Sequence, residues 1–392
     1  MAEETKAKKP MDLQALAKKL NTGKGMKNTA KVGTELSDTT ILCSTGSFAL
    51  NLGIGLGGLP DSRIMEYYGQ PSGGKSTMSF ISGIELQKLG QNIAVIDIEG
   101  TFDKKWFVNL GGDLDKLLII VPDSGAIAFT KMVELLESGI IGLVIVDSVS
   151  TMLTDAQINK GFGEDSMAQL ARLMSDSLPK VNNVMNKLVK KNGKCASIIF
   201  INQMRVTNMS GYGNPQSATG GNALPFYASI RLEISRVSKT NGGNIGSDEN
   251  PIGFKTQIKV VKNKIGPPFR KVITSLYIQA PKFGIDIDAE MFDLAVYYNI
   301  IMKRKKDEDG NFVIDPDGKG AWYLMSDDEI DWIYGRDKAI EHFLADRELF
   351  TDVKERVIDI VDTKGKAEED SFEAKKLAKD ERKSRTTNKD EI

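Results

Sequence analysis

The chain has 392 residues, of which 41% are hydrophobic and 27% charged, with a formal net charge of −1. That profile fits an ordinary soluble globular protein of one large domain with appendages, or of two to three domains. It excludes an overall basic field, so any nucleic-acid site must be a local groove or loop set. The longest apolar runs, such as 140–146, are far too short to span a bilayer.

The N-terminus is rich in Lys and Glu and has no apolar core, so no signal peptide is expected. Cys43 and Cys195 form no CxxC pair, which suits a reducing, cytoplasmic compartment. His342 is the single histidine and lies far along the chain from the glycine-rich motif at 69–76. Histidine-based catalysis and a His/Cys zinc site are therefore not expected. The chemistry must rest on carboxylates, lysines and amides.

In chain order, residues 1–38 are polar and basic, with a short helical pattern over 12–20 (Leu13, Leu16, Leu20). So small a helix buries no core of its own and must dock on something else. From 39 to about 280, strand signals at 63–68, 93–98, 117–121, 142–147 and 196–202 alternate with helix signals at 75–88, 126–138 and 166–191. This alternation predicts a largely parallel sheet flanked by helices. In 166–191 the stripe Met167, Ala171, Met174, Leu178, Val181, Met185 and Leu188 reads as core-facing. Runs at 227–235, 254–263 and 270–279 follow without helices and read as antiparallel additions. Two polar, glycine-rich segments, 157–166 and 206–222, interrupt this core, and loops of that length are usually functional or disordered. Residues 281–362 read as a small α+β domain with a turn-rich insertion at 307–319. The tail 363–392 carries nine Lys/Arg and eight Asp/Glu and is expected to be disordered.

Behind the first strand stands Gly69-Gln70-Pro71-Ser72-Gly73-Gly74-Lys75-Ser76, followed by Thr77. The spacing G-x-x-x-x-G-K-S between a strand and a helix defines a phosphate-binding loop. Its glycines let backbone N–H groups converge on phosphates, and the helix N-terminus adds its dipole. Lys75 reaches the terminal phosphates, and the Ser76 hydroxyl can ligate Mg²⁺. The run 143–147 ends in Asp147, a carboxylate placed to position that metal. Glu99 ends the strand between them, where ligands gather in open α/β sheets. Spacing alone leaves Glu99 open between a base for the attacking water and a solvated loop carboxylate. Lys262 and Lys264 alternate on one strand face, and on spacing alone they read as solvated lysines.

The segments 200–205, 213–215 and 219–224, together with 44–47, 57–60, 261–265 and 320–323, closely resemble the bacterial RecA recombinases. The resemblance covers roughly 12–325. It implies a RecA-like P-loop ATPase core with a mostly parallel central sheet, an N-terminal helical arm and a small α+β C-terminal domain. It implies an ATP- and Mg²⁺-dependent, head-to-tail helical filament on single-stranded DNA. Such a filament pairs that strand with homologous double-stranded DNA and exchanges strands, in recombination, repair and the SOS response to DNA damage. Position by position, Glu99 matches the catalytic carboxylate, and Asp103 and Trp106 match the adenine contacts. Gln203 matches the glutamine that senses the γ-phosphate. Lys262 and Lys264 match lysines donated across the subunit interface, and Phe226 an aromatic that enters the neighbour.

The two polar segments resemble the family's DNA-binding loops. Met167, Arg172 and Ser175 match contacts after the first loop; Arg205, Gly220, Gly221 and Asn222 match those of the second. Met209 and Tyr212 are open between a wedge between stretched bases and core packing. The sequence also departs from the family. Ser72-Gly73-Gly74 replaces the usual Ser-Ser-Gly, Pro179 and Pro225 stand where basic residues are usual, and Asn208 replaces an apolar side chain. These departures mark a divergent member and leave a host or a phage origin open. A RecA-fold DNA helicase, a small-molecule kinase and an ATP-gated DNA scaffold are the other readings of the same motifs.

Overall fold

The computed structural model describes residues 12–22, 30–35, 39–154, 158, 166–206, 216–247, 249–314, 322–324 and 332–360. Helix α1 (Leu13–Leu20) is capped by Asp12, whose side chain accepts from the Ala15 amide, and buries none of its residues. Two short strands, β1 (Ile41–Cys43) and β2 (Leu59–Pro60), bracket helix α2 (Phe48–Ile54) and pair with each other.

The phosphate-loop region then alternates as the pattern predicts. Strands β3 (Ile64–Gly69), β4 (Asn92–Asp97), β5 (Leu117–Ile120), β6 (Ile141–Asp147) and β7 (Ser197–Val206) are parallel. Between them run α3 (Lys75–Lys88), α4 (Lys104–Asn109), α5 (Gly125–Ser138) and α6 (Ser166–Asn192). Helices α2 and α4 and the pair β1/β2 have too few periodic residues to be read from the sequence. Strand β7 turns back into β8 (Gln216–Ala218), an antiparallel hairpin whose outer part lies outside the described residues.

One predicted relationship is corrected. After the short helix α7 (Ala223–Tyr227), strand β9 (Ile230–Arg236) runs parallel to β3. It is not an antiparallel addition. Antiparallel pairing begins one strand later, with β11 (Pro251–Asn263), β12 (Lys271–Tyr277) and β13 (Gly284–Ile285), and β10 (Asn244–Gly246) on the flank. The sheet order is β13-β12-β11-β9-β3-β7-β6-β4-β5.

Successive side chains of a strand point to opposite faces, so each sheet face gathers its own core. Met65, Tyr67, Ile199, Ile201 and Leu232 pack with α2 and α3 on one face. Ile64, Ile198 and Phe200 pack with α5, α6 and α7 on the other. The α6 stripe is buried at Met174, Leu178, Val181 and Met185, as its spacing predicts. A third core joins α8 (Ile287–Tyr297), α9 (Arg336–Ala345) and the helical stretch 347–360. It adjoins the four antiparallel strands β14 (Met302–Lys306), β15 (Phe312–Ile314), β16 (Trp322–Leu324) and β17 (Trp332–Tyr334). Within the turn-rich insertion 307–319, residues 312–314 are strand. Buried Glu290 of α8 ties this unit to α2, accepting from Ser47 Oγ at 2.8 Å and the Ala49 amide at 3.1 Å. Among the described residues no helix is long and apolar enough to cross a membrane.

Candidate nucleotide site and its comparison with known proteins

Parallel pairing brings the C-terminal ends of four strands to one edge. Gly69 stands opposite Gln203 in the β3–β7 register, and Asp97 opposite Asp147 in the β4–β6 register. The loop from Gly69 to Ser76 leaves this edge and enters α3 at Lys75. Gly69 is required by a close approach: a Cβ there would lie 2.0 Å from the Ile234 carbonyl oxygen. Gly74 holds a left-handed φ of 95° and no side chain caps the helix behind it. The first amides of α3 have no intrahelical acceptor and face the loop.

Lys75 is buried, and its Nζ donates to the Gln70 carbonyl at 2.7 Å. Burial lowers its pKa, and the nearby Asp147 and Glu99 carboxylates oppose that shift. Burial also pushes the Asp147 carboxyl up to about 6; its bond with the Ser76 hydroxyl opposes the rise, and Glu99 and Asp97 add to it. Buried Asp97 accepts from the amides of Thr101 and Phe102 and so fixes the turn that carries Glu99. Glu99 Oε1 accepts from Ser148 Oγ at 2.6 Å and from Gln203 Nε2 at 3.1 Å.

A cavity of about 140 Å³ opens between Ser76, Asp97 and Asp147 and the residues Asp103 and Trp106 of the α4 region. Asp103 caps α4 through the Trp106 amide at 2.8 Å, and the Trp106 ring meets Phe283 edge-on at 6.0 Å. A magnesium–nucleoside triphosphate fits these groups. The uncapped helix end and buried Lys75 suit phosphate, and Ser76 with Asp147 offers the cation two oxygens. Among the described residues no cluster of three or more His, Cys, Asp and Glu forms a cation site. Phosphate oxygens and water would complete the shell, as magnesium commonly requires.

Lys262 and Lys264 are not brought to the phosphate loop of their own chain. Lys262 stands opposite Arg231, which stands opposite Glu66, three residues back from Gly69. Three residues of strand span about 10 Å. Lys262 Nζ donates to the Pro225 and Phe226 carbonyls at 2.6 and 3.0 Å, and Lys264 Nζ to that of Phe226 at 3.3 Å. Phe226 is 72% exposed. Burial, then Lys264 and Arg231, lowers the Lys262 pKa to about 8.

Of the predicted DNA contacts, Arg172 and Ser175 are exposed on α6. Gly220 and Gly221 have left-handed backbones and abut Met174 and Ala171 of the same helix, beside Asn222 at the start of α7. The return limb of the second loop thus meets the helix that follows the first. Met209, Tyr212, Asn208 and most of the first loop lie outside the described residues, as do the side chains of Met167 and Arg205. Sequence reasoning missed Ser148, Asn202, Glu66 and Arg231. A carboxylate inside the apolar strand Ile64–Gly69 was the one local signal for Glu66.

A strand–loop–helix phosphate cradle, with an acid on the next strand but one, defines a P-loop nucleotide hydrolase. The family model described as the RecA N-terminal domain matches residues 11–281. Protein RecA of Borrelia hermsii is 36% identical over 318 residues, 81% of each chain. Protein RecA of Acinetobacter baylyi is 35% identical over 342 residues, 87% of this chain and 89% of its own. That of Sulfurimonas denitrificans is 34% identical over 315 residues, 80% and 82% respectively. The chain belongs to the RecA family. It is a divergent recombinase of DNA recombination and repair and a DNA-dependent ATPase, in a family that uses nucleotide with Mg²⁺, binds DNA and forms filaments.

Proposed function

We propose that this protein binds ATP with Mg²⁺ at Gly69–Thr77, Asp103, Trp106 and Asp147, and couples its hydrolysis to the grip of a head-to-tail filament on single-stranded DNA. That filament pairs its strand with homologous duplex and exchanges strands, in the cytoplasm. The observation that carries the reading is the contact of Glu99 with Gln203. It joins the carboxylate beside the phosphate loop to the base of the hairpin that leads into the second DNA loop.

When bound, the metal–nucleotide supplies the phosphoanhydride and neutralises charge on its phosphates. Glu99 orients the attacking water and takes its proton. Ser148 and Gln203 hold Glu99 in place, and Gln203 passes the state of the site to β7 and β8. Lys75 and the α3 amides hold phosphate oxygens. Ser76 and Asp147 hold the metal. The π-face of Trp106 supports the base, with Asp103 beside it. Lys262 and Lys264 serve the site of the next subunit, which explains their distance from their own loop. Phe226 packs into that neighbour, a heterologous contact that propagates rather than closes. Arg172, Ser175, Arg205, Met167, Met209, Tyr212, Gly220, Gly221 and Asn222 hold DNA largely without base preference. The free thiols of buried Cys43 and half-buried Cys195, pushed up to about 12 and about 11 chiefly by desolvation, suit a reducing compartment.

The test is ATP hydrolysis with and without single-stranded DNA, followed by strand exchange with homologous duplex. DNA-stimulated hydrolysis and exchange are expected. Hydrolysis indifferent to DNA would sink the coupling, and stimulation without exchange would leave a scaffold.

A further inference from the structure

Glu66 lies in the middle of β3, and its side chain is fully buried. A carboxylate in such a place is costly unless every oxygen is paired. Both oxygens are paired here, and they face in two directions. Oε1 accepts from Asn202 Nδ2 at 3.0 Å, and Oε2 accepts from Arg231 Nε at 2.5 Å.

On the β9 side, the Arg231 guanidinium lies over the Tyr68 ring at 4.6 Å and opposite Lys262. Lys262 in turn holds the carbonyls of Pro225 and Phe226. On the β7 side, Asn202 has two further bonds. Its Nδ2 donates to the Thr219 carbonyl at 2.9 Å, and its Oδ1 accepts from the Gln203 amide at 2.9 Å. Thr219 and Gln203 are also bonded to each other at the base of the hairpin. A continuous polar chain therefore runs from Glu99 through Gln203, Asn202, Glu66 and Arg231 to the strand position of Lys262.

We propose that Glu66 is a positioning residue that couples the Lys262–Phe226 edge to the Gln203 hairpin, so that hydrolysis at Glu99 responds to DNA. The inference rests on Gln203 and Lys262 acting as set out under Proposed function. Among the described residues, Glu66 has no hydrogen bond or ion pair to a nucleotide-binding residue; it acts through Asn202 and Arg231. Its chemistry is specific to the position. A carboxylate accepts from both neighbours, whereas a glutamine accepts from one and turns an N–H toward the other donor.

The experiment compares the full-length wild type with Glu66→Gln, reading kcat and KM for ATP with and without single-stranded DNA, and the melting temperature. In Glu66→Gln the DNA-free rate and KM stay within about twofold, while the stimulation by DNA falls about tenfold, an ordinary coupling between sites. Adding Arg231→Met to Glu66→Gln causes little further loss, because the link is already cut. A purely structural Glu66 would lower the melting temperature and both rates together and leave their ratio unchanged, which overturns the inference. Should Glu66→Gln fail to fold, Glu66→Met with Arg231→Met removes both charges at once. Lost stimulation in that double variant supports the coupling, and retained stimulation overturns it. A wild type that DNA does not stimulate would overturn the functional proposal and this inference with it. A stimulated wild type with an equally stimulated Glu66→Gln overturns this inference alone.

Discussion

Gln203 Nε2 donates to Glu99 Oε1 across 3.1 Å, so the end of β7 is bonded to the turn that follows β4. A general base gains from being held by a neutral donor, which leaves it charged and fixes its direction. Glu99→Gln is expected to lower kcat for ATP by about 10²–10⁴ and leave KM near its original value. Gln203→Ala keeps the carboxylate but cuts its link to the hairpin. The ratio of DNA-stimulated to DNA-free hydrolysis then collapses toward one, read in a steady-state assay at saturating ATP.

The second prediction follows from the place of Lys262, held against the carbonyls of Pro225 and Phe226 beside an exposed aromatic ring. Lys262→Ala and Glu99→Gln are each expected to be inactive alone. Mixed, they form interfaces in which one protomer supplies Glu99 and the other Lys262. Activity should return and peak near equal proportions. A flat response across all mixing ratios would show that each site is complete within one chain.

The lowered pKa of Lys262 gives a pH test. At about 8 in the free protomer, the amine is mostly charged at neutral pH and mostly neutral one unit above 8. Only the charged form can balance a developing phosphate charge. DNA-stimulated kcat/KM should therefore fall as pH rises through about 8, because kcat/KM reports the free enzyme. Phosphate contact raises the pKa in the assembled site, so kcat should fall only at higher pH. Lys262→Arg keeps its charge throughout and should lose the fall near pH 8. For folding the sign is the reverse. A folded pKa below the unfolded value costs stability below about pH 8, and that cost fades as pH rises toward 10.5.

Asp103 and Trp106 can be separated by stability and affinity. Asp103 caps α4 by accepting from the Trp106 amide. Asp103→Ala should cost about 1 kcal/mol of nucleotide-free stability, the usual value of an N-cap, measured by denaturant melting. Trp106→Ala should raise KM for ATP about tenfold through lost ring contact, whereas Trp106→Tyr, which retains a π-face, should stay near wild type. An Asp103→Ala protein of unchanged stability would contradict the capping geometry.

Much of the parallel architecture was legible because its signals are local. Apolar runs of strand length, a helical stripe over 166–191 and the spacing of Gly69, Gly74 and Lys75 need no knowledge of partners. Elements such as α2, α4, α7 and the short strands β1, β2, β8 and β14 to β17 escaped because they are too short for periodicity to register. The direction of β9 was misread for a related reason. Strand direction depends on which neighbour is chosen, and β9 lies between β3, to which it is parallel, and β11, to which it is antiparallel.

The sequence by itself determined that the chain carries a phosphate loop, an acid at Asp147 and a second carboxylate at Glu99, because each is written in consecutive residues. Only the tertiary structure decided what those groups touch. The contacts of Glu99 with Gln203, and of Glu66 with Asn202 and Arg231, join residues separated by 104, 136 and 165 positions. Cross-strand register made them neighbours, and burial raised the worth of each pairing above what the same groups would have in water. The same register held Lys262 and Lys264 away from their own phosphate loop, at an edge bearing an exposed Phe226.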